Sequence, residues 1–259
     1  MWAIHGPPMQ GRVLCRPTMI AIFNTLVYLH IAFGSVGLVL FWLPVITKKG
    51  GKLHRRSGFW FGYSMLITGS LAIAISFVTL TAPTETHPLV DDVELIRAQF
   101  GWLMLYLALL TVSLAWHGMQ SVRYKRDHTG HRTPGSILLQ ISVIAAAINC
   151  SVHGWLIDKT LLIWVGGVGL LSASTILLFI FSKDPKKTEY LHFHVRSSVG
   201  GGISAYTAFL SVSLVRTMPE ETFNPWLWAI PTALGSVIIG YHEAKMIMKR
   251  YRKPRAVAG

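Results

Sequence analysis

Acidic residues are scarce in this chain: 11 Asp and Glu stand against 24 Lys and Arg in 259 residues, and charged residues make up only 14%. Soluble domains carry roughly 25% charged residues, so a water-solvated globule is excluded on composition. Cysteine is nearly absent too. The pair present, Cys15 and Cys150, rules out a disulfide-dense scaffold and any CxxC metal site, and the lack of CxxCH rules out a c-type haem attached through its usual signature. The opening MWAIHGPPMQGRVLCRPT lacks the apolar core of a secretory leader. Residues 1–18 read as a short external tail, or as a stretch ahead of a start at Met19. No internal repeat is visible, so the inverted-repeat design of many secondary transporters has no support in the sequence.

Apolar sequence is what the chain has in abundance, at 52% of residues. A helix needs about 20 residues to cross ~30 Å of hydrocarbon. Long apolar runs cover Met19 to Ile46, Phe59 to Ala82, Phe100 to Met119, Ser136 to Leu156, Leu161 to Phe181, Val195 to Val215 and Trp226 to Met248. They predict an all-α integral membrane bundle of seven transmembrane helices, a single domain over 19–248 with a basic tail at 249–259.

The basic excess sorts by side. With the N-terminus outside and the C-terminus in the cytoplasm, one face collects Lys48, Lys49, Lys52, Arg55, Arg56, the loop Arg123 to Arg132, the loop Lys183 to Lys187, and Lys245 through Arg255. The other face keeps most of the acids, among them Asp91, Asp92, Glu94 and Asp158. That asymmetry is the positive-inside pattern, and it makes the charge topogenic rather than a nucleic-acid footprint. Anionic headgroups at the cytoplasmic face are the natural partner of these cations. Small residues recur four apart, as in Ser197, Gly201 and Ala205, and in Gly169 with Ala173; such seams let membrane helices approach closely.

Ionisable groups are costly inside a bilayer, and here the intramembrane ones are mostly histidines. His30 and His153 fall toward the outer side. His54, His117, His192, His194 and His242 fall at the inner ends of the spans. Two tiers of imidazoles are the layout by which helices hold b-type haems and carry electrons across a membrane. At ~1.5 Å rise per residue, His30 and His153 differ by about 5 Å in depth, so they are expected to face each other. His54 is expected to meet His117, with His194 as a competing partner. The competing reading makes the inner histidines interfacial residues that contact phosphate or cap helices. His128 and His131 in RDHTGHRTP read as solvated loop residues, and His5 and His87 carry no signal. HTGH and HFH fall short of the histidine boxes of non-haem di-iron enzymes, and no zinc spacing is present.

The segment HIAFGSVGLVLFWLPVITKKGGKLHRRSGFWFGYSM resembles the opening of a family of uncharacterised bacterial multi-pass membrane proteins, known as a domain of unknown function. In that family a mid-helix His precedes a KGxxxHRxxG loop. HVRSSVGGGISAYTAF and PTALGS are similar to its later spans. The resemblance implies a bacterial cytoplasmic membrane location and carries over His30, His54 and His194; His117 and His153 match none of its motifs. The layout also bears a distant likeness to di-haem transmembrane cytochromes.

The expectation is therefore haem b, bound through His30, His54, His117, His153 and His194, in a protein that serves transmembrane electron transfer with a redox partner or a second copy of itself. The alternative is a non-enzymatic transporter or assembly module whose histidines contact lipid or sense pH.

Overall fold

A computed structural model describes residues 10–183, 185–215 and 224–251. Among them the chain is helical and contains no strand. The long helices are α1 (Gln10–Ile46), α2 (Lys52–Thr81), α3 (Val93–Arg123), α4 (Pro134–Leu156), α5 (Thr160–Phe181), α6 (Lys187–Val215) and α7 (Pro225–Tyr251). Among the described residues five stretches are long and apolar enough to cross a bilayer: Thr18–Ile46 of α1, then α2, α3, α4 and α5. The helical part of α1 begins within the stretch read as an external tail; residues 1–9 and 252–259 lie outside the described residues.

Local sequence sets the helix ends. Pro134 opens α4, where its missing N–H costs nothing, and the Thr133 side chain accepts the Ser136 N–H at 3.2 Å as an N-cap. Asp92 caps α3 in the same manner, accepting from the Glu94 and Leu95 N–H groups. The α1–α2 turn requires a left-handed residue, and Gly50 supplies it at φ 75°. α3 contains a π-helical segment, Arg97–Leu103, in which the chain winds more loosely than in its flanks.

α3 is the hub. It packs against α2, α4 and α6, while α1 lies on α2, α5 on α4 and α7 on α6. One apolar cluster joins Leu103, Tyr106 and Leu110 of α3 to Val143 and Ala147 of α4 and to Leu162 and Ile176 of α5. A second joins Phe41, Phe61, Met65, Ala115 and Val199 from α1, α2, α3 and α6. Lipid is as apolar as these side chains, so packing and hydrogen bonds, rather than escape from water, hold the helices together.

The small-residue seams perform as expected. Ser197 and Gly201 lie against Gly118 and Leu114 of α3, and Ser204 shares a 2.7 Å hydrogen bond with Thr111. At Gly169 a Cβ would stand 2.4 Å from the Tyr106 ring, whose hydroxyl donates to the Val165 carbonyl at 2.8 Å.

Candidate functional site: histidines where α2, α3 and α6 meet

Lys49 ties off the end of α1, its ammonium donating to the carbonyls of Pro44 at 2.7 Å and Val45 at 2.5 Å. These belong to the last turn of the helix, whose carbonyls have no partner within the helix. His54, on the first turn of α2, adds a second donor to Pro44, Nδ1 to oxygen at 3.0 Å. His194 on α6 does the same across the seam, its Nδ1 at 2.7 Å from the Gly118 carbonyl of α3. His30 on α1 reaches the Thr68 carbonyl of α2 at 3.0 Å.

A carbonyl oxygen only accepts, so in each case the proton sits on Nδ1. The neutral ring then keeps a lone pair on Nε2. This is the tautomer that an outer hydrogen bond imposes on a metal-ligating histidine.

The rings of His54 and His194 lie 6.4 Å apart, centroid to centroid, with planes at 75°. Two imidazoles on opposite sides of one metal ion, with metal–nitrogen bonds of ~2.0–2.1 Å, put their centroids roughly 6 Å apart. Among the described residues no group of three or more His, Cys, Asp or Glu side chains is placed to hold a metal ion. A pair of imidazoles therefore suits a metal that brings its other ligands with it, as iron does in haem.

His117 is not the partner of His54. It is 2% exposed, and its Nε2 has no hydrogen-bond partner among the described residues. Its chain neighbour Gly118 is the residue that faces His194, and successive helical residues point about 100° apart. The outer pair does not form either. His30 sits against α2, whereas His153 stacks on Trp102 at 5.6 Å with planes 18° apart.

The loop RDHTGHRTP departs from its reading as solvated. His131 is fully buried among Tyr124, His128, Phe179 and Tyr190. His128 donates from Nε2 to the Phe179 carbonyl at 2.9 Å and accepts the Tyr190 hydroxyl at Nδ1, 3.0 Å away. Arg132 donates to the Ile180 and Ser182 carbonyls at 3.1 and 2.8 Å. The loop thus caps the C-terminus of α5, satisfying carbonyls the helix leaves open. Burial, helped by the neighbouring His128, pushes His131 down to about 4. On the opposite side, burial likewise pushes His87 down to about 4; it stacks on Phe100 at 4.2 Å. The sequence signal for the His131 pocket was faint: aromatic residues at 124, 179 and 190, far apart in the chain.

His192 and Arg196 share Glu243 of α7, at 3.5 Å and 2.6 Å. His242 of α7 lies near Lys49 and Lys245.

Fold and site together define a helical bundle built for a membrane, with imidazoles gathered where α2, α3 and α6 meet. No family model, curated protein or solved structure matches the chain.

Proposed function

We propose that this is a seven-span protein of the bacterial cytoplasmic membrane, N-terminus outside, that holds a b-type haem between His54 and His194. The observation that carries the reading is the shared geometry of that pair: rings 6.4 Å apart on separate helices, each with Nδ1–H committed to a backbone carbonyl and Nε2 left to donate. Bound haem supplies one-electron chemistry, with a potential set by its ligands and by how dry the site is. The contribution of this chain is to fix both imidazoles at the cationic end of the bundle, where Lys52, Arg55 and Arg56 flank His54, within reach of a redox partner on that side. α6 packs on α3 and α7 packs on α6, which supports reading them as the sixth and seventh spans.

The test is the visible spectrum of detergent-purified protein from haem-replete cells, oxidised and dithionite-reduced. The expected result is a Soret band with sharpened bands on reduction, lost in His54→Ala and in His194→Ala and retained in His153→Ala. A colourless wild-type preparation would overturn the reading.

One observation favours a second reading. His54 reaches an end-of-helix carbonyl that needs a donor, so its bond has a structural purpose without any cofactor. On that reading the histidines lock helices together in a non-enzymatic transporter or assembly module. His54→Ala then lowers Tm and changes no spectrum.

A further inference from the structure

A shallow apolar crevice of about 110 Å³ lies between α1, α6 and α7, lined by Phe41, Trp42, Tyr206, Ile230, Leu234 and Ile238 among others. Its polar atoms are already committed: Trp42 Nε1 donates to the Tyr206 hydroxyl at 2.7 Å, which donates to the Leu38 carbonyl at 3.0 Å. The crevice opens outward, since Ile230 and Leu234 are exposed. It therefore offers an occupant alkyl surface and little else.

The same helices carry cations one to two turns further inward. On α7, Ile238 is followed by His242 and Lys245; on α1, Trp42 is followed by the turn that bears Lys49. Lys49, His242 and Lys245 are near enough to act on one another electrostatically. The acid beside them gives no relief, because both Glu243 oxygens are held by Arg196, at 2.6 and 3.2 Å. Burial and the charge of Lys245 hold the Lys49 ammonium below the usual lysine value. An ammonium has three donors, and Lys49 uses two on the end of α1, which leaves one.

We propose that crevice and cations form one binding site for an anionic glycerophospholipid, an acyl chain lying in the crevice and the phosphate against Lys49 and Lys245. Charge complementarity selects the occupant. A zwitterionic lipid brings an ammonium of its own beside the phosphate and so offsets the repulsion between the cations less than an anionic lipid does. The inference rests on α6 and α7 being membrane spans and is independent of haem.

Trp42 makes the site observable. The full chain in detergent micelles is titrated with phosphatidylglycerol brominated on its acyl chains and, separately, with brominated phosphatidylcholine, while tryptophan fluorescence is followed. Phosphatidylglycerol should quench at lower lipid fraction, and the difference should vanish in Trp42→Phe. Lys49→Gln with Lys245→Gln should weaken the phosphatidylglycerol response by about fivefold per charge removed, the equivalent of ~1 kcal/mol per cation near anionic lipid. Leu234→Phe, at an exposed position, should reduce quenching by both lipids. Equal quenching by the two lipids in the wild type, or a preference that survives Trp42→Phe, overturns the proposal. Displacement by inorganic phosphate at matched ionic strength also overturns it, because the site would then take a free anion.

Discussion

α1 and α3 are both apolar enough to cross a bilayer, yet they live in opposite surroundings. Of the most apolar window in each, 11% of residues are buried inside the protein in α1 and 78% in α3. The buried helix is the more polar one: α3 carries Thr111, Ser113, His117, Gln120 and Ser121 on its inward faces, whereas α1 turns Val36, Val39 and Ile31 outward. In water the order would be reversed. In lipid the greasier of two helices belongs outside, and polar side chains mark the interior because only protein can satisfy them.

The sharpest way to break this contrast is to add bulk where a neighbour touches the hub and where one does not. Gly169→Val drives a Cβ into the Tyr106 ring of α3 and should cost about 3 kcal/mol, whereas Gly167→Val meets nothing within 4 Å and should leave thermal unfolding in detergent unchanged. Equal effects would mean that α5 does not pack on α3 as described.

Gln140 comes next. It is fully buried, and its amide exchanges hydrogen bonds of 3.0 and 2.9 Å with Ser113 of α3. Gln140→Ala strands the hydroxyl and should cost about 2 kcal/mol, while Gln140→Leu combined with Ser113→Ala, which removes both partners, should come close to neutral. A double-mutant cycle in chemical or thermal unfolding reads the difference.

Acid should loosen the cap on α5. His131 is held at about 4 in the fold against 6.5 for a free imidazole, so between those values the unfolded chain takes a proton that the folded chain refuses. Stability is then greatest above about pH 6.5 and declines toward pH 4, by on the order of 1–2 kcal/mol. His87 contributes with the same sign. His131→Phe should flatten this decline in Tm measured against pH; an unchanged slope would show that the imidazole is not the group responsible. The smallest effect belongs to Arg97→Ala, which removes an exposed 3.0 Å ion pair with Glu94 and should move stability by less than ~0.5 kcal/mol.

Helices were legible because apolar runs of spanning length leave few alternatives. The seams at Ser197 and Gly169 were legible for the same reason, since small residues spaced four apart have few other uses in lipid. Facing was harder to read. Chain order favoured His54 with His117 because α2 and α3 are consecutive and packed, but one residue of helical rotation turns His117 toward a different neighbour and leaves Gly118 opposite His194. The buried loop at 128–131 was misread because its partners Phe179 and Tyr190 lie 51 and 62 residues from His128, and nothing local announces them. Glycine, aspartate and histidine in a short connection look the same whether water or a ring of aromatics surrounds them.

The loosely wound segment Arg97–Leu103 has a consequence for how this chain tolerates change. A π turn accommodates one more residue than the α-helix around it, with the surplus absorbed locally. Shortening the chain by a single residue between 97 and 103 should therefore let α3 close into regular winding with its two ends still in phase, whereas the same deletion elsewhere in α3 would rotate every contact beyond it. Length variants of this protein, natural or engineered, should collect at that spot.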